Sequence, residues 1–135
     1  MNEQVEKAIK AAGGEEESRY AQYTLADMRN NVAAGVETFD AFKPWLLTTT
    51  NGAALASQIQ SGFQKIQDKY NSIQGDALPP VPGSWSMTPT AEDRATPFGQ
   101  LFTLLEDESN PDTDGSLVNT MNKSADELKI PRLPD

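Results

Sequence analysis

The chain has 135 residues, 37% hydrophobic and 7% aromatic, which is enough length for one domain with a real core. Its formal net charge of −9 argues against nucleic acid and anionic membrane surfaces as partners, because both are themselves negative. There is no cysteine, which excludes disulfides and thiolate metal sites, and no histidine, which removes the commonest general base and transition-metal ligand.

The opening "MNEQVEKAIKAAGG" is polar and has no apolar stretch, so it does not read as a signal peptide. The expectation is a cytoplasmic chain, or one separated from its export signal. No stretch is long and apolar enough to predict a transmembrane segment. The first residues predict a short helix with Val5 and Ile9 inward, ended by Gly13-Gly14. A second helix is predicted from Thr24, where "TLAD" resembles a capping box with Asp27 as the box partner. Leu25, Met28, Val32, Val36 and Phe39 repeat along it at helical spacing. Pro44 disfavours helix at Lys43 and is expected to end it.

Asn51 is placed to cap a third helix. Leu55, Ile59, Phe63, Ile66, Tyr70 and Ile73 follow at steps of four, four, three, four and three, which put all six on one helical face. Gly75 sits where a C-terminal cap is expected. "GDALPPVPGSWSMTP" is too rich in proline and glycine for regular structure and predicts a long interhelical loop. The next helix can start at Thr90, with Asp93 as box partner, or at Thr96, with Pro97 in the first helical position. We favour Thr96, because Pro97 would interrupt the earlier start. Phe98, Leu101, Phe102 and Leu105 form its apolar face, and "EDESNPDTDGS" breaks it. A last helix is predicted from about Ser116, burying Leu117, Met121 and Leu128, until Pro131. No strand competes. The predicted fold is all-α, an up-and-down bundle of about four main helices over residues 1–135, with a long Pro-rich interhelical loop.

Chemistry has few places to reside. In "NPDTDGS", Asn110, Asp112 and Asp114 alternate before Gly115, which matches the first half of a calcium loop, and Ser116 would add a backbone carbonyl. The twelfth position should hold a bidentate Glu and is Met121; Asp107, Glu108 or Asp126 could substitute. The competing reading is a capped acidic turn, since Asn-Pro and Asp-Gly are ordinary turn pairs. The runs Glu15-Glu16-Glu17 and Glu106-Asp107-Glu108 read as solvated, because adjacent helical residues point in different directions. Neither a G-x-S-x-G elbow nor a phosphate loop occurs. Trp45 and Trp85, both placed in proline-containing loops, are expected as lids over the bundle rather than ligand stackers.

The stretch "EEESRYAQYTLADMRNN" carries a resemblance. Glu15, Glu16, Glu17, Ser18, Arg19 and Tyr20, then Thr24, Leu25, Asp27, Met28 and Asn31, resemble the acidic junction and following helix of the imelysin-like proteins of the bacterial cell envelope. "NGAALASQIQSGFQKIQDKYNSIQGDALPP" and "FGQLFTLLEDES" with "LVNTMNKSADELKIPRLPD" are similar to that family's later helices. The resemblance implies the C-terminal bundle of a longer two-bundle protein, located in the periplasm or cell envelope. It implies association with iron or other cation acquisition, which adds iron to the calcium that the loop's own spacing suggests. The family's Gly-x-His-x-x-Glu motif is absent, and the junction lacks its usual histidine, so no metallopeptidase activity is expected. Glu15, Glu16, Glu17, Arg19, Tyr20 and Tyr23 are then expected to form a face toward a partner, either the N-terminal bundle or another chain. The alternative function is a structural or interaction bundle that completes its core with another chain or domain.

Overall fold

A computed structural model describes residues 2–13, 23–86 and 88–131. These residues form six α-helices and no strand: α1 (Asn2–Ala12), α2 (Thr24–Leu46), α3 (Gly52–Asn71), α4 (Ala91–Ala95), α5 (Pro97–Ser109) and α6 (Leu117–Leu128). The all-α class is as the sequence predicts. The count is higher than four because α1 is well formed and both candidate starts near Thr90 and Thr96 are used.

The central element is α3, which packs against α2, α5 and α6. Its predicted face is the buried one, with Ile59, Ile66 and Tyr70 essentially inaccessible and Leu55 and Phe63 nearly so. Burying such a face, at roughly 1.5–3 kcal/mol per large apolar side chain, is what holds a helix of ordinary propensity in place. The helix ends at Asn71, before Ile73. Gly75 is therefore not its cap but a loop residue with φ of +80°, and Ser72 occupies the cap position. Asn51 does stand at the N-cap, yet its side chain donates to Glu127 on α6 rather than to its own helix.

Helix α2 runs antiparallel to α3, and its two ends depart from the sequence reading. At the start, Tyr23 is the N-cap and no capping box forms. The Asp76 carbonyl, from the loop after α3, accepts from the N–H groups of Leu25 at 2.9 Å and Ala26 at 3.3 Å. A tertiary contact thus does the work expected of Thr24. At the other end the helix continues through Pro44 to Leu46. A proline this close to the terminus removes one hydrogen bond of the last turn, and burial of Leu46 offsets that loss. Trp45 consequently lies on a helix, half exposed, and is not a buried lid.

Helix α1 packs against α5. Ala8 and Gln4 face inward and Ile9 outward, which reverses the expectation for Ile9. The reason is polar: the buried Tyr70 hydroxyl donates to Oε1 of Gln4 at 2.8 Å, and satisfying it selects the Gln4 face. At α4, Thr90 and Asp93 make a full capping box, and at α5 Thr96 accepts from the Gly99 N–H with Pro97 in the first turn. Trp85 stacks edge-on against Phe98 and Phe102, with centroids 4.9 and 5.0 Å away, and closes the loop over α5 as a lid. Helix α6 runs antiparallel to α3. It approaches closely at Gly62, where an added Cβ would lie 3.1 Å from Leu117.

Candidate functional site

The acidic loop is a turn held by its own hydrogen bonds. Asn110 Oδ1 accepts the Asp112 N–H at 2.9 Å. Ser116 Oγ donates to the Asn110 carbonyl at 2.6 Å and accepts from the Asn119 N–H at 3.1 Å as the N-cap of α6. Asp114 pairs with Lys123, whose hydrogen bond and charge hold its carboxyl below the ordinary carboxylate value. Gly115 supplies the turn with φ of +79°. Glu108, one of the substitutes considered for the missing bidentate ligand, points elsewhere. It is buried and accepts from the Leu117 N–H and from Lys65 Nζ, both at 2.8 Å. The run Glu106-Asp107-Glu108 is therefore not solvated throughout. Among the described residues, no group of three or more Asp or Glu side chains is gathered closely enough to hold a metal ion.

Of the residues expected to face a partner, Glu15, Glu16, Glu17, Arg19 and Tyr20 lie outside the described residues. Tyr23 is described and is half exposed at the start of α2. Within the resembling stretch, Leu25 and Met28 are fully buried, and Asn31 donates to Glu3 of α1 at 3.4 Å.

A feature absent from the sequence reading is an open groove between α2 and α6, with a volume of about 450 Å³. Its floor is Ile59 and Phe63 of α3. One wall is α2, through Val32, Gly35, Thr38, Phe39 and Phe42; the other is α6, through Met121, Ser124, Ala125 and Leu128. Glu3 and Gln4 of α1 close one end. Phe42 is half exposed on the rim, and Trp45 and Leu47, at the end of α2 and just after it, are half exposed as well.

The polar groups on the walls are already engaged. Thr38 Oγ1 donates to the Ala34 carbonyl at 2.8 Å, Ser124 Oγ to that of Thr120 at 2.9 Å, and Gln4 Oε1 accepts from Tyr70. Among the described residues, Glu3 is the one charged residue that lines the groove. The groove can therefore bury apolar surface but offers little to orient a polar metabolite. Its legible signal was the absence of charge at 31, 32, 35, 38, 39, 42 and 46, all on one side of α2.

No helix among the described residues is long and apolar enough to cross a membrane. No family model, curated protein or solved structure compared with the chain is similar enough to count as a match.

Proposed function

We propose that this chain is a non-catalytic interaction module, a helical bundle that covers its open α2–α6 groove with apolar surface from another protein or domain. The observation that carries this reading is the groove itself: large, apolar, with its polar lining satisfied internally and aromatic surface exposed at its rim. Exposed apolar surface of this kind marks interaction sites, and aromatic side chains at a rim are the usual anchors. A chain without histidine also lacks the usual general base that activates a serine nucleophile.

The resemblance to imelysin-like proteins gives the reading a setting. The partner is then the N-terminal bundle, and the assembly serves cation acquisition at the bacterial cell envelope. The test is calorimetric titration of the purified chain with an N-terminal imelysin-like bundle. Association that Thr38→Lys abolishes supports both module and setting, since Thr38 lines the groove and is exposed. No heat at high micromolar concentrations removes the setting.

A further inference from the structure

Around the groove, three sides of a four-helix arrangement are already built. Helices α2 and α6 both run antiparallel to α3, and Ile59 and Phe63 of α3 lie between them. Resting on the interaction reading above, we propose that the occupant is a single amphipathic helix of a partner protein, with an uncharged apolar stripe and a basic residue at the end that meets Glu3.

Shape selects a helix. From Asn31 to Leu46, α2 lines the groove over roughly 22 Å, about four helical turns. Gly35 on the α2 wall is small because the Phe63 ring of the floor packs against it, where an added Cβ would lie 3.2 Å away, and Ala125 stands on the α6 wall. A helix laid in such a groove inserts side chains spaced three and four apart, and a volume of about 450 Å³ accommodates several of them.

Charge selects the chemistry of that helix. Among the described residues the middle of the groove is lined mainly by apolar side chains, with the Thr38 and Ser124 hydroxyls donating to their own helices, so a charged side chain on the stripe would be buried without a partner. Glu3 stands at the closed end with a side chain 67% exposed, and its neighbours Lys7 and Asn31 lie at 4.0 and 3.4 Å. Its carboxylate can accept another donor. The chain as a whole carries −9, which draws a basic partner toward it and disfavours a second copy of itself.

The test uses the full chain and fluorescent helical peptides of about 15 residues, matched to the groove length. Each has a leucine stripe and either Lys-Arg or Glu-Glu at one terminus, made in both polarities. Anisotropy gives affinity, and amide chemical shifts give location. The expected result is shifts at Gly35, Thr38 and Ala125, and about threefold tighter binding of a basic peptide, the size of an exposed ion pair. Glu3→Lys should reverse that preference, and Thr38→Lys should weaken binding of either peptide about tenfold by placing a charge in the apolar groove.

Groove binding with no charge preference overturns the basic end while leaving the interaction reading in place. Absence of groove shifts with every peptide, when the N-terminal bundle still associates, overturns the single helix. A dimer in sedimentation that Thr38→Lys dissolves assigns the groove to a second copy and overturns the partner.

Discussion

Glu108, at the end of α5, accepts the Leu117 backbone N–H at 2.8 Å and so binds the first turn of α6 with a buried carboxylate. The N–H groups of a first helical turn have no intrahelical partner, and this one is buried beneath the α3–α6 contact. Removing the acceptor strands it. Glu108→Ala should lower stability by about 1–3 kcal/mol, and Glu108→Gln, which keeps an oxygen in place, by less. Lys65→Ala should cost less again, because the Lys65 side chain is 54% exposed and its half of the ion pair is solvent-screened. Urea midpoints at constant slope measure all three. Equal losses for the Ala and Gln variants would show that the hydrogen bond is not what Glu108 contributes.

Arg29 performs the matching service at the C-terminus of α3. Its guanidinium donates to the carbonyls of Tyr70 at 2.9 Å, Ile73 at 2.8 Å and Gly75 at 2.7 Å, and pairs with Asp76 at 3.3 Å. It therefore also positions the Asp76 carbonyl that caps α2. Arg29→Ala should cost about 1.5–3 kcal/mol, and Arg29→Lys should recover little, because an ammonium lacks the planar fork. Hydrogen exchange at Leu25 and Ala26 checks the mechanism. If their amides are unaffected in Arg29→Ala, the two helix ends are not coupled through this residue.

A pH dependence follows from Asp93. The Ser84 hydroxyl and then the Thr90 N–H donate to its carboxylate, and together they hold its carboxyl below the ordinary value. A carboxyl depressed in the folded state contributes stability that is complete above the unfolded pKa, about 3.9, and is lost as pH falls through the folded value. The loop from Pro82 to Thr90 should therefore loosen below about pH 4. Trp85, beside Ser84 and packed on Phe98, reports it by fluorescence. Asp93→Asn should lose this acid transition and be less stable at neutral pH. An unchanged transition in that variant would place the titrating group elsewhere.

How much of this was written in the sequence depends on where each interaction comes from. Helix α3 was legible because its signal is local: apolar residues at helical steps, with Leu55, Ile59, Phe63, Ile66 and Tyr70 buried and only Ile73 falling beyond the helix end. Pro44 misled because its cost depends on distance from the helix end, and burial of Leu46 sets that end. Glu108 was unreadable inside an acidic run, since its partner is a backbone N–H nine residues on that only folding brings near. Ile9 failed for the same kind of reason, because the hydroxyl of Tyr70 decides which face of α1 turns inward. The groove was half legible: the stripe Val32, Phe39 and Phe42 is visible, but that α6 stands off from α2 is not.

Phe63 tests the core and the groove together. It is 5% exposed, sits 6.4 Å from the Phe39 ring and forms part of the groove floor. Truncation of a buried Phe costs about 3–5 kcal/mol. Because the groove already opens beside the ring, the space left behind is continuous with solvent, so Phe63→Ala should fall near 3 kcal/mol, the lower end of that range. A loss below about 0.5 kcal/mol, the range of ordinary surface positions, would mean that α3 does not present this face to α2 and α6.

The final prediction concerns the loop with calcium-like spacing. Four oxygen-bearing residues stand in the right order, but calcium must compete with bonds already made. Asn110 Oδ1 already accepts the Asp112 N–H and has one lone pair left for an ion, and Ser116, though its carbonyl is the donor expected, is fixed by the cap of α6. Asp114 would exchange Lys123 for the ion. Asp112 is an exposed carboxylate that could join it, and Met121 stands where the bidentate Glu belongs. Calcium titrated to low millimolar concentration should therefore leave the amide shifts of residues 110–116 nearly unmoved. Lys123→Ala frees Asp114 and should raise whatever response exists, whereas Asp112→Ala and Asp114→Ala should remove it. Saturable shifts in this loop at micromolar calcium would make it a metal site despite its internal bonds. Shifts centred on Glu15 to Tyr20 would move the cation to the acidic junction instead.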